Sequence, residues 1–177
     1  PDFHNWTFGA DNDWYDQLLR TAAITNHSLN INGGSEKAVY AVGVSYLYQD
    51  GIMDVDNNYK RMNFRGSVDY DATNWLKVGF NGVFSNSTQQ VPNNQAWQKA
   101  FNCPPIVAIY DDKYNEKSFP DKFGSPDAIG YTSNFYNPVA TAKYFDSSKE
   151  NYQVLSNFYA QIDFIPSKLN FKTNYSY

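Results

Sequence analysis

From Tyr59 to Asp71 the side chains alternate between two chemistries almost without a break. Met62, Phe64, Gly66, Val68 and Tyr70 fall on one face, and Arg61, Asn63, Arg65, Ser67, Asp69 and Asp71 on the other. Successive side chains of a β-strand point to opposite sides, so this period predicts a strand with one apolar and one strongly polar face. The pattern leaves one physical question open, namely which solvent meets each face. A soluble antiparallel sheet would turn its polar face to water. A membrane barrel would turn its apolar face to lipid and enclose a wet lumen with the other.

The same alternation recurs along the chain. In His27–Asn32, Leu29 and Ile31 alternate with Ser28, Asn30 and Asn32. After a turn at Gly33 to Lys37, whose glycines can supply positive φ, Tyr40, Val42, Val44, Tyr46 and Tyr48 share a face. Asp50 to Asn58 is a longer polar connection, and Asp71 to Asn74 is a short turn. Leu76, Val78, Phe80, Gly82 and Phe84 then oppose Lys77, Gly79, Asn81, Ser85 and Ser87. Alternation returns at Tyr152, turns at Ile165 to Lys168, and ends on Leu169, Phe171, Thr173, Tyr175 and Tyr177. These segments predict about six strands paired as neighbours. Four blocks follow: residues 1–26 with a short helix from Trp14 to Arg20 capped by Asn12 or Asp13, four strands over 27–87, a long loop over 88–151, and two strands over 152–177.

Composition narrows the function classes. The 177 residues include 15 Tyr and 13 Phe, yet only 18% are charged. A net charge of −4 lacks the concentrated basic patch of nucleic-acid binders. A single cysteine, Cys103, excludes an internal disulfide framework and a cysteine-cluster zinc site. His4 and His27 lie in different segments with no nucleophile or carboxylate in register, so no catalytic constellation is predicted. Asp54 to Asn58 resembles the start of a calcium loop, but Tyr59 stands where glycine is needed and Arg65 where glutamate is needed, so no metal site is assigned.

Three observations favour lipid on the apolar face. Tyr46, Tyr48, Tyr70, Trp75 and Phe84 sit near strand ends, like the aromatic girdles of outer-membrane barrels. The opposite faces, with Arg61, Arg65 and Asp69 on one strand, are too polar for a sandwich interior. Connection lengths alternate between short and long, as do periplasmic turns and extracellular loops. With the short turns periplasmic, both chain ends fall on the outer side. Six strands are fewer than the eight or so that close a bacterial barrel, so the expectation is an arc of a larger barrel.

Asp13-Trp14-Tyr15-Asp16-Gln17-Leu18-Leu19-Arg20-Thr21-Ala22, Asn26-His27-Ser28-Leu29 and Gly33-Gly34-Ser35-Glu36-Lys37 resemble the SusC/RagA family of TonB-linked outer-membrane transporters. The resemblance continues through Tyr46-Leu47-Tyr48-Gln49-Asp50-Gly51-Ile52, Tyr59-Lys60-Arg61 and Asn74-Trp75-Leu76-Lys77-Val78-Gly79. It thins in the long loop, where Pro104-Pro105 and Asn137-Pro138-Val139-Ala140 still match. The resemblance implies an antiparallel transmembrane β-barrel of about 22 strands with a plug, in the outer membrane of a Gram-negative bacterium. It implies partnership with a SusD-like surface lipoprotein and with the TonB complex, uptake of oligosaccharides or peptides, and no cofactor. This chain would supply about the second to seventh strands. A TonB-dependent siderophore or vitamin receptor, and a soluble carbohydrate-binding β-sandwich, are the alternative readings.

Two groups of residues are candidates for function. Trp14, Tyr15, Trp97, Tyr110, Asp111, Tyr131 and Tyr136 lie in the outer segments, where aromatic rings can stack on sugars or pack on a partner. Arg61, Asn63, Arg65, Asp69, Lys77 and Asn81 would face the lumen.

Overall fold

The computed structural model describes residues 10–111, 123–126, 130, 136–165 and 168–177. The elements run α1 (Trp14–Leu18), β1 (Ile24–Gly34), β2 (Ala38–Asp50), β3 (Asn58–Asp71), β4 (Leu76–Gln90), α2 (Gln95–Asn102), α3 (Pro138–Lys143), β5 (Ser148–Ile165) and β6 (Leu169–Ser176). The chain divides into two compact units, a sheet unit and a helical unit.

In the sheet unit the six strands pair in chain order, an antiparallel meander with β1 and β6 at its edges. Directly opposed residues share a face, and the pairs sort by chemistry. Leu29 faces Val44, Phe64 faces Phe84 and Ile162 faces Phe171, while Ser28 faces Ser45, Asn63 faces Ser85 and Gln161 faces Lys172. One sheet surface is therefore mainly apolar and the other mainly polar, with exceptions such as Asn86 opposite Met62 and Val83 opposite Arg65. The β1–β2 turn closes with the Ser35 amide donating to the Ala38 carbonyl at 2.7 Å, and Thr73 Oγ1 accepts from the Leu76 amide at 3.0 Å in the β3–β4 turn. Gly33 and Gly34 end strand β1 and carry no positive φ; among the described residues the glycine with positive φ is Gly130. What Gly33 supplies is room, since a Cβ there would meet the Tyr40 ring opposite. A register shift between Asp163 and Ile165 interrupts the β5–β6 pairing before its last pair, Ile165 with Leu169.

The helical unit comprises residues 1–23, 50–58 and 90–148. Asp13 caps α1, its Oδ1 accepting from the Tyr15 and Asp16 amides at 2.9 and 3.2 Å. The helix stops at Leu18, short of the expected Arg20. Leu19 turns extended and bridges Met53, and the Arg20 amide donates to the Ile52 carbonyl. The tertiary pairing takes the backbone groups that another helical turn would have used. Asn57 is buried within the 50–58 connection, packed against Gly51, where a Cβ would overlap its amide. Trp14, Leu18, Met53, Ala96, Ala100, Cys103, Val107 and Ala142 form the core, drawn from all three segments. Ala96 and Ala100, one turn apart, give α2 a small-residue face against which α1 and α3 can pack closely.

The 88–151 region, where alternation dissolves, thus has secondary structure of its own. Asn137 is the residue around which it is built. Its Oδ1 accepts from the Val139 and Ala140 amides, capping α3, and Pro138 occupies the first turn. Its Nδ2 donates to the carbonyls of Ile109 and Gly124 at 3.0 and 3.1 Å. One fully buried amide therefore joins three stretches of chain. Among the described residues no helix is long and apolar enough to cross a membrane, which says nothing of strands.

Candidate functional site

The polar sheet face is organised by two glycines. Gly43 on β2 and Gly79 on β4 are the buried positions within the six strands. Side chains from neighbouring strands cover both. Arg65 on β3 crosses Gly43 to donate a short hydrogen bond to Asn30 Oδ1 on β1. Tyr159 on β5 crosses Gly79 to donate its hydroxyl to Asp69 Oδ1 on β3 at 2.7 Å. In each case a Cβ on the glycine would collide with the crossing side chain, so the missing side chain allows the bond. Lys172 on β6 adds its ammonium over the Tyr159 ring at 4.3 Å. Asn63 Nδ2 donates to Ser45 Oγ at 3.0 Å, and Lys77 pairs with Asp71 at 3.4 Å.

The structure brings Arg61, Asn63, Arg65, Asp69, Lys77 and Asn81 onto this one face, where Lys77 opposes Asp71 and Asn81 opposes Ser67. Sequence reading named these residues but missed Asn30 and Tyr159, their cross-strand partners. The two glycines carry no assigned part in the sequence pattern. Glycine at a polar-face position between longer polar side chains was the available signal.

In the helical unit the expected contact residues separate. Trp14 is 3% exposed and its Nε1 donates to the Pro104 carbonyl at 3.1 Å, so its ring is core rather than contact surface. Tyr15 is exposed and stacks on the half-buried Trp97, ring centroids 6.1 Å apart. Tyr110 is exposed and stacks on the buried Phe123 at 5.0 Å. Tyr136 is exposed, with Lys99 Nζ 4.4 Å from its ring centre. Asp111 is half-buried, and Tyr131 lies outside the described residues. Tyr15 with Trp97, Tyr110 and Tyr136 are thus the surface aromatics of the expected set. Asn137 was met only as part of a familiar string; an Asn ahead of a helix-opening Pro was the cap signal that could have singled it out.

No family model matches the sequence. Curated relatives do. TonB-dependent receptor P3 of Formosa agariphila is 29% identical over 180 residues, 95% of this chain. TonB-dependent receptor SusC of Bacteroides thetaiotaomicron is 31% identical over 133 residues, 73% of this chain. The chain belongs with the SusC/RagA-like TonB-dependent receptors. It spans only 17% of the first of these relatives and 13% of the second. Among solved structures, the RagAB peptide transporter matches 94% of the chain and 18% of its own, with a TM-score of 0.64 at 21% identity. That likeness gives the fold, and the six-stranded sheet is an unclosed arc of a SusC-like barrel.

Proposed function

We propose that the sheet is a section of the wall of an outer-membrane, TonB-dependent importer, its apolar face against lipid and its polar face toward the lumen. The supporting observation is the apolar face itself. Leu29, Val42, Phe64 and Phe171 are each between 41% and 62% exposed, while the opposite face carries guanidinium, carboxylate and amide groups. A soluble sheet of this composition would leave one of these surfaces in the wrong medium, because contiguous exposed apolar area is costly in water. Strand length agrees, since β3 and β4 have 14 and 15 residues, more than the 9–11 or so that cross a hydrocarbon core.

On this reading the 1–23, 50–58 and 90–148 segments are extracellular, and Tyr15, Trp97, Tyr110, Asp111 and Tyr136 contact a partner or substrate there. The partner is a SusD-like lipoprotein, the cargo an oligosaccharide or peptide, and energy comes through TonB by way of a plug. The TonB-dependent receptors among the relatives support the energy source, and the RagAB peptide transporter supports a peptide cargo. The decisive experiment compares Phe64→Arg with Asn63→Arg in the full-length receptor folded in lipid. The first should cost roughly 2–4 kcal/mol and the second little. Equal tolerance at the two adjacent positions would refute the wall.

A further inference from the structure

A hollow of about 510 Å³ opens on the polar sheet face, lined by Ser28, Ser45, Arg61, Asn63, Arg65 and Gln153, with Ser85, Gly43 and two valines, Val44 and Val83, around them. Its chemistry is one-sided. Its charged groups are two guanidiniums, set among hydroxyls, amides and the valines, and no carboxylate of the described residues lines it. Elsewhere on the same face the acids have partners, Asp71 with Lys77 and Asp69 with the Tyr159 hydroxyl. Arg65 spends one donor on the neutral Asn30 amide oxygen, and Arg61 makes no ion pair among the described residues. A guanidinium carries five donors in a planar fork that matches a carboxylate edge, so this pair leaves most of its donors available. The crossing of Gly43 holds Arg65 flat along the wall, and a held guanidinium loses less freedom on binding than a loose one.

We propose that this hollow is a carboxylate-binding site, in which Arg61 and Arg65 take the acid group and Ser28, Ser45 and Gln153 hydrogen-bond to what carries it. The carboxylate comes either from a ligand moving along the wall or from another part of the same receptor. The inference rests on the wall reading and deepens it by naming what the lumen face holds. The two fail separately, because Phe64→Arg reports on the wall and arginine labelling reports on the hollow.

The test uses the full-length receptor in detergent. Tetragalacturonate and maltotetraose, an acidic and a neutral probe of equal length, are titrated by calorimetry, and arginine accessibility is followed with phenylglyoxal and mass spectrometry. A ligand carboxylate gives binding of the acidic probe, protection of Arg61 and Arg65 on its addition, and roughly tenfold weaker binding for each Arg→Gln substitution. A carboxylate from the receptor itself gives protection of both arginines before any probe is added, and a lower melting temperature for Arg61→Gln and Arg65→Gln than for the corresponding lysine variants. Rapid labelling of both arginines that tetragalacturonate does not slow overturns the proposal. So does identical behaviour of the glutamine and lysine variants, because the hollow would then not be reading charge.

Discussion

The helical unit and the sheet unit are built from similar residue types and treat them in opposite ways. In the helical unit Trp14, Leu18, Met53, Val107 and Phe123 are buried, each at most 3% exposed. In the sheet unit residues of the same kind, such as Leu29, Ile31 and Phe64, stand in the open, and the buried strand positions are two glycines. A unit with a core of its own resists unfolding by packing. A sheet one layer thick cannot, so its order comes from backbone ladders, cross-strand side chains and whatever medium meets its faces. The contrast says where each unit is vulnerable.

The largest effect should come from the helical core. Leu18→Ala should cost about 2–5 kcal/mol, seen as loss of hydrogen-exchange protection in the helical unit of the full-length receptor while strand amides stay protected. Equal loss in both units would mean that the sheet depends on that core, and the comparison would fail. Asn137→Ala comes next, since it removes an α3 cap and takes a donor from the buried Gly124 carbonyl, while the Ile109 carbonyl keeps the Gly124 amide. About 1–3 kcal/mol is expected, read as earlier proteolysis near α3.

Smaller effects belong to the sheet. Tyr159→Phe removes the hydroxyl bond to Asp69 and should cost about 0.5–1.5 kcal/mol. Combined with Gly79→Ala, which already blocks the crossing, it should cost almost nothing more. A double-mutant cycle that comes out additive would show that the glycine does not serve this bond. Smallest is Lys77→Ala. Both partners of its ion pair with Asp71 are about half exposed, so a change within about 1 kcal/mol is expected, and one that added salt diminishes.

The parts of the fold that were legible beforehand are those where neighbouring residues carry the information. Alternation at Arg61 to Asp71 fixed the face of each side chain. With short turns at Ser35 and Thr73 it also led to neighbour pairing, because strand periodicity and turn closure are properties of a few consecutive residues. The candidate polar site was readable to the same depth: Arg61, Asn63, Arg65 and Asp69 share a face because their spacing is even. Strand ends were less legible. β1 begins at Ile24 and β5 at Ser148, ahead of the expected His27 and Tyr152, since those first residues alternate weakly and are ordered by pairing.

By itself, then, the sequence determined a two-faced antiparallel sheet and its kinship with the SusC-like receptors. Only the tertiary structure decided that Trp14 is core, that α1 ends at Leu18, that α2 and α3 form inside the long loop, and that Asn137 ties three segments together. It alone showed Arg65 and Tyr159 crossing the glycines on either side. The physical reason is range. A strand's faces follow from backbone geometry two residues at a time, whereas burial and capping depend on groups brought together from distant points in the chain. The Asn12 side chain donating to the Val107 carbonyl, 95 residues away, is one such contact.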